Sequence, residues 1–437
     1  MSRHTPTDAS RVASQTEKLE RRASYASELS QPQERPPHTP AKSGIFDREL
    51  DMASAGVAER TTHAEFGERK LSLLCEGLGL SHQRRAAIEL FRLLTKDWSQ
   101  WPLEDKPSWK TDITDDGTPF EFSVAFDGSA RQVRILVESQ EDPIGPLSSW
   151  SAGLRLNQRL KTLPGVDLER FELVRDLFTP DDGASLRFTL WHGASLNADG
   201  SAAFKIYVNP QVRGPRLANG IVRDALRRLS LGEAAQFLLS HLRSRRDRNS
   251  FIYFSLDLSS GRAARAKVYI AHEHATAAEV DAALEGCRDH VPGDASRWIA
   301  GLLGNMGTFD LRPILTCYSF SSAGGIPRAT VHVPVRCYVR SDAEAVDQAS
   351  KFLASQHATA LQSGLSRVSG YPLDRGRGSL TYVSFKRRPG GTCVTTYVAP
   401  QAYEVNAPLP ARNTPSETRP KQPPFLVGGE SASVRWR

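Results

Sequence analysis

What the chain lacks narrows its class first. No apolar run in its 437 residues approaches the roughly 20 that a membrane helix needs, so no membrane partner is expected. The opening MSRHTPTDASRVASQTEKLERR has no apolar stretch of the secretory-signal kind, and a cytoplasmic protein is expected. Cysteine is scarce: Cys75, Cys287, Cys317, Cys337 and Cys393 are odd in number, widely spaced and without a C-x-x-C pair. That pattern argues against a disulfide framework or zinc site and predicts reduced thiols. There is no D-D-x-x-D segment: Asp115-Asp116 and Asp181-Asp182 each precede glycine and read as turns, so no metal and no cofactor are expected. A G-x-x-x-x-G-K phosphate loop is also missing, and Arg375-Gly376-Arg377-Gly378 reads as a turn with local charge.

Positive charge is present but thin. The formal net charge is +7. Residues 1–60 contribute nine cations and nine anions, and residues 406–437 five cations and two anions, which leaves +4 for the middle. A small anionic ligand accounts for that excess as readily as a polymer does. The first 62 residues, centred on SQPQERPPHTPAKSG, and the last 32, with APLPARNTPSETRPKQPP, are too polar to offset the entropy of ordering and are expected to be disordered. Residues 63–405 are expected to form one domain.

What is abundant is a repeat. Phe204-Lys205-Ile206-Tyr207-Val208 returns as Arg265-Ala266-Lys267-Val268-Tyr269-Ile270, then as Thr330-Val331-His332-Val333-Pro334, then as Thr395-Thr396-Tyr397-Val398, at intervals of 62, 63 and 65 residues. A fixed period marks one supersecondary unit used repeatedly, and alternate residues of a strand share a face. Lys205 therefore shares a face with Tyr207, and Arg265 and Lys267 with Tyr269, while the interleaved apolar residues belong against a hydrophobic layer.

Strands are predicted at 120–126, 132–138, 186–191, 203–208, 250–256, 265–270, 316–321, 329–335, 379–385 and 393–398, paired through short glycine-containing turns. Helical patterns at 66–75, 83–98, 147–162, 167–177, 221–228, 232–242, 277–287, 295–303 and 342–360 fall between the pairs. Five hairpins separated by helices predict an α+β fold, a closed ten-strand antiparallel sheet with helices outside. A parallel fold would place a helix after every strand.

These repeated α-β-β-α units resemble the aromatic prenyltransferases of the dimethylallyltryptophan synthase family, from about residue 65 to 405. The pieces that carry the resemblance are Gly117-Thr118-Pro119-Phe120-Glu121-Phe122-Ser123, Phe204 to Pro210, Arg265 to Tyr269, Val333 to Tyr338 and Thr381-Tyr382-Val383-Ser384-Phe385. The resemblance implies the ABBA prenyltransferase barrel, ten strands around a solvent-filled chamber. It also implies transfer of a dimethylallyl group from dimethylallyl diphosphate to the indole of L-tryptophan or a tryptophan-derived acceptor, without an obligatory metal.

Residue by residue, Arg134, Lys205, Arg265 and Lys267 stand where that family holds diphosphate. Tyr207, Tyr269, Tyr382 and Tyr397 match its tyrosine shield around the allyl cation. Glu121 matches the carboxylate that accepts the indole N–H. Many relatives deprotonate the arenium ion with a lysine thirteen residues before the first K-x-Y lysine; here that position is His192, with Trp191 beside it. A histidine can take such a proton; the alternatives are a structural histidine or one that positions substrate. Thr330 and His332 replace a frequent glutamine and tyrosine and, with Trp191, are candidates for the prenyl pocket. Phe251 to Leu258 contains none of the arginine that binds a tryptophan carboxylate in relatives, so an indole peptide or another indole stays open as acceptor.

Prenylation of tyrosine or another phenol is the alternative within the same fold. A single-stranded nucleic-acid platform is the alternative outside it, and would show mixed aromatics on an open face with surplus charge around them. The partners expected are a small aromatic acceptor and an allylic diphosphate, with the chain a monomer or weak homodimer.

Overall fold

The computed structural model describes residues 60–109, 111–241, 248–304 and 306–403. The expected disorder of the two ends falls almost wholly outside these residues, as does Leu242. Among the described residues ten strands run in the order β1 Phe120–Asp127, β2 Ala130–Glu138, β3 Leu190–Leu196, β4 Ala202–Val208, β5 Asn249–Asp257, β6 Arg265–His272, β7 Ile314–Ser321, β8 Arg328–Val333, β9 Leu380–Arg388 and β10 Gly391–Val398. Each pairs antiparallel with its neighbours in sequence, and β10 returns to β1, so the sheet closes into a barrel. Closure removes both edges that a ten-strand open sheet would leave unpaired.

The helices sit between hairpins and cover the outside. The first is α1 His63–Gly77, opened by a capping box in which Thr62 accepts from the Glu65 N–H and the Glu65 carboxylate accepts from the Thr62 N–H. Then come α2 Arg84–Thr95 and α3 Pro146–Lys161 with proline at its first turn, and the single turns α4 Glu169–Glu172 and α5 Arg175–Phe178. Next are α6 Ala218–Arg228, α7 Gly232–His241, α8 Ala277–Ala282 and α9 Asp294–Leu303. Last are α10 Asp342–Ser350 and α11 Ser355–Val368.

The hydrophobic core is the layer between barrel and helices. Phe120, Phe122, Val124 and Phe126 of β1 point into it, with Phe120 5.0 Å from Phe91 of α2 in an edge-to-face contact. Val133, Ile135 and Val137, then Phe204, Ile206 and Val208, then Ala266, Val268 and Ile270 do the same on β2, β4 and β6. The opposite parity of every strand is thereby aimed inward.

Several elements depart from the sequence reading; α8, for one, ends at Ala282 and not at 287. β3 begins at Leu190 and runs to Leu196, beyond the expected 186–191, because Leu190, Ala194 and Leu196 supply the outward apolar row. β8 stops at Val333: Pro334 has no N–H for the ladder, and Val335–Cys337 forms a 3₁₀ turn. The expected helix over 342–360 is two helices, broken between Ser350 and Ser355. The expected helix over 167–177 is the two turns α4 and α5.

Candidate active site

Inside the barrel the side chains form two layers. One layer is cationic. Arg134 of β2, Lys205 of β4, Arg265 and Lys267 of β6 and Lys386 of β9 all carry inward parity. Burial first, then Lys267 and Arg134, push Lys205 well below an ordinary lysine. Burial and Arg265 lower Lys267, and burial with Lys267 and Arg388 brings Lys386 to about 8. Close like charges in a low-dielectric interior destabilise one another, and the Asp257 carboxylate offsets only part of this for Lys205 and Lys267.

Arg265 is the exception. Its Nε donates to Asp257 at 2.6 Å and its second nitrogen at 3.2 Å, across the β5–β6 hairpin. Burial alone would lower Arg265, but the Asp257 hydrogen bond and charge raise it.

The second layer is aromatic and continuous. Trp191 lies 6.4 Å from Tyr207, Tyr207 5.9 Å from Tyr269, Tyr269 5.6 Å from His332, His332 5.7 Å from Tyr397, and Tyr397 6.3 Å from Tyr382, all between ring centroids. Tyr253 of β5 joins Trp191 and Tyr269 at 5.3 and 5.7 Å. Lys205 Nζ stands 5.4 Å from the Tyr207 ring centre and links the two layers. Burial raises Tyr207, Tyr269 and Tyr382 above ordinary phenols, and Tyr397 to about 12, so all four remain O–H donors at neutral pH. His332 is held at about 3 by burial and then by Lys267, Lys205 and Arg134. It is a neutral ring.

Two carboxyls lie beyond the aromatic layer. Glu121 of β1 accepts a hydrogen bond of 2.8 Å from Thr381 Oγ1, and burial raises its pKa to about 8. Glu138, the last residue of β2 and the cross-strand partner of Trp191, is raised by burial to about 7, opposed in part by Thr111, Trp191 and Trp109. At this end Asp115 is clasped by Arg312, at 2.5 Å, and by Arg336. Asp112 pairs with Arg187 and accepts from the Tyr253 hydroxyl at 3.1 Å. Ile113 and Phe188 pack on Trp191 and close the floor there.

One sequence candidate falls outside the chamber. His192 has outward parity: it pairs across β3–β4 with Ile206, is fully buried between barrel and helix, and its Nε2 is 2.9 Å from Asn157 Oδ1 on α3. Burial lowers its pKa to about 3. The reason is parity. Trp191 and Gly193 face inward, and the residue between them cannot. His192 therefore does not reach the chamber in which an arenium base must act, and its place is structural.

The remaining candidates Glu121, Arg134, Lys205, Lys267, Tyr207, Tyr269, Tyr382, Tyr397, Trp191, Thr330 and His332 share the inner face, with Thr330 beside Cys317. Residues missed in the sequence carry two kinds of signal. Lys386 follows Tyr382 and Ser384 at strand spacing, and Tyr253 shares parity with Ser255 and Asp257, so alternation would have found them. Arg312 and Asp115 lie in connections between elements and carry none.

Among the described residues no three His, Cys, Asp or Glu side chains gather as a metal cluster, and no helix is long and apolar enough to cross a membrane. All five cysteines are buried and free.

Residues 95–367 match the family model described as tryptophan dimethylallyltransferase. Among solved structures, 6-dimethylallyltryptophan synthase from Micromonospora olivasterospora, in complex with DMASPP and Trp, is 29% identical with a TM-score of 0.74, covering 80% of this chain and 100% of its own. The 5-dimethylallyl tryptophan synthase from Streptomyces coelicolor, also with DMASPP and Trp, is 28% identical at 0.71 and covers 81% and 99%. The prenyltransferase PriB, in a ternary complex with L-tryptophan and dimethylallyl thiolodiphosphate, is 32% identical at 0.71 and covers 80% and 99%.

Proposed function

This chain belongs to the tryptophan dimethylallyltransferase family and is a prenyltransferase; from that premise we propose that it transfers a dimethylallyl group from dimethylallyl diphosphate to the indole ring of L-tryptophan, releasing diphosphate. The observation that carries the reading is the order of layers along the chamber: cations, then neutral aromatic rings, then the buried carboxyl of Glu121.

Each layer matches one demand of the reaction. The C–O bond of the donor breaks with its electron pair leaving on diphosphate, so negative charge grows where Arg134, Lys205 and Lys267 already stand. Preorganised cations act strongly there because they need no reorganisation as the charge develops. Arg265, held by Asp257, faces the same anion from the rim.

The allyl cation left behind needs shielding from water and from the lysines. The ring faces of Tyr207, Tyr269, Tyr382, Tyr397 and His332 supply it, and the hydroxyls of the four tyrosines are donors for diphosphate oxygens. Because His332 is neutral, it adds no positive charge beside the cation.

An indole carbon then attacks the allyl carbon. Glu121, as a carboxylate, accepts the indole N–H and raises the ring's electron density as the bond forms. The arenium proton then passes from the substituted carbon to the diphosphate released in the first step, which completes the substitution; His192, on the outer face against Asn157, does not take it.

Mass spectrometry of the purified protein with dimethylallyl diphosphate, L-tryptophan and EDTA tests the reading. A product heavier by one C5H8 unit, strongly reduced in Glu121→Gln, is expected. Turnover with tyrosine or a phenol but not tryptophan would move the acceptor; no product with any aromatic acceptor would overturn the proposal.

A further inference from the structure

Beneath the cationic layer one inner-face position has no side chain. Gly193 sits in the middle of β3, directly across from Lys205 of β4. Its φ lies outside the positive range that calls for glycine, so the backbone there accommodates any residue. A glycine inside a strand weakens it and marks a close approach by another group.

The group that approaches is the lysine stem. A Cβ on residue 193 would stand 2.7 Å from Lys205 Cε and 3.1 Å from Lys205 Cγ, with Tyr207 Cε2 at 3.4 Å. Lys205 thus lies flat along bare backbone, with its ammonium 5.4 Å from the Tyr207 ring centre.

Among the described residues that ammonium has no hydrogen-bond partner, and Asp257, the cross-strand neighbour that attracts it, is engaged by Arg265. A four-carbon stem among like charges would otherwise sample several rotamers.

We propose that Gly193 is a positioning residue for the donor site: its missing side chain forms a floor along which Lys205 lies, so the ammonium is aimed at the diphosphate before the donor binds. The proposal rests on the reading of Lys205 as a diphosphate ligand. A methyl at 193 meets the far part of a flexible side chain, so the lysine moves and the strand holds. The displaced ammonium then meets the diphosphate off its line, and small displacements of a positioned group are costly in rate.

The test is a double-mutant cycle of Gly193→Ala, Lys205→Ala and the pair, read by calorimetric titration with inorganic pyrophosphate and by kcat and KM for each substrate. Gly193→Ala is expected to weaken pyrophosphate binding by about tenfold, the scale of one charge-assisted hydrogen bond, and to raise the donor KM while leaving the tryptophan KM in place. In the Lys205→Ala background, where the stem is gone, the same methyl is expected to change nothing.

Equal losses from Gly193→Ala in both backgrounds would overturn the proposal, as would an unaltered pyrophosphate affinity in Gly193→Ala. If Lys205→Ala itself binds pyrophosphate normally, the reading of Lys205 fails and the floor has no role. Should Gly193→Ala not fold, recovery of folding in the double variant supports the stem as the group that is struck, and failure in both backgrounds overturns it.

Discussion

The rings of His332 and Tyr397 lie 5.7 Å apart at 53°, which makes an imidazole one member of a wall otherwise built of tyrosines and Trp191. His332 is also 5.6 Å from Tyr269. Burial and three nearby cations hold it neutral, so it should act by size and not by charge. His332→Ala is expected to improve kcat/KM for geranyl diphosphate relative to dimethylallyl diphosphate, whereas His332→Tyr should favour the shorter donor. Competition assays with both donors read the ratio, and an unchanged ratio in both variants would remove His332 from the prenyl pocket.

Glu121 and Thr381 should set the acidic limb of activity. Burial raises the Glu121 carboxyl to about 8, and the Thr381 hydrogen bond, which favours the carboxylate, opposes that rise. Thr381→Val removes the opposition, so the limb of log kcat/KM against pH should move to higher pH. Glu121→Gln should cost on the order of 10²–10⁴ in kcat and abolish the limb. A pH–rate profile identical in Thr381→Val and the native protein would separate Glu121 from the chemistry.

The crowded cations predict a trade of stability for binding. Lys205 is pushed well below an ordinary lysine, so the unfolded chain holds its proton more firmly and the empty protein gains stability as pH rises from the folded pKa toward the unfolded one. Lys205→Met removes the buried charge and should raise the Tm of the empty protein at neutral pH. It should also lose most of the Tm increase that pyrophosphate gives the native protein. A variant with lower Tm and undiminished stabilisation by pyrophosphate would contradict both halves.

His192 should matter for stability and not for turnover. With its folded pKa lowered to about 3, the unfolded chain binds the extra proton between about pH 3 and 6.5, so stability should fall as pH drops through that window. His192→Gln removes the titrating group and should flatten this part of the stability curve. The loss of the Asn157 contact should cost about 1–3 kcal/mol near neutrality. Urea unfolding from pH 4 to 8 measures both, and kcat should stay within about twofold of native for a residue that touches no substrate. A collapse of kcat in a folded His192→Gln protein would return the residue to the mechanism.

Much of the architecture is legible in the sequence because strand alternation is a local property. Once Phe204, Ile206 and Val208 face the helices, Lys205 and Tyr207 must face the chamber, and the same holds for β6 and β10. The 62–65-residue interval then brings equivalent positions of successive hairpins onto one inner surface. In this way Lys205, Lys267, Tyr207, Tyr269 and Tyr397 could be grouped from the chain alone, whereas Arg134 and Tyr382 were implied only by the family resemblance.

The tertiary structure decided what depends on register and on loops. Strand period is two residues, so an offset of one between Trp191 and His192 exchanges chamber for core, and only the pairing of Trp191 with Tyr207 settles which is which. The contact of Gly193 with Lys205, the clasp of Asp115 by Arg312 and Arg336, and the Asp257–Arg265 pair join groups whose adjacency follows from pairing or closure and leaves no periodic trace. The sequence by itself determined the strands, their two faces and the chemical character of the chamber, because side-chain direction in a strand is set by neighbours along the chain. Which inward groups meet, and how each is charged, was decided only when closure of the barrel fixed their distances and burial.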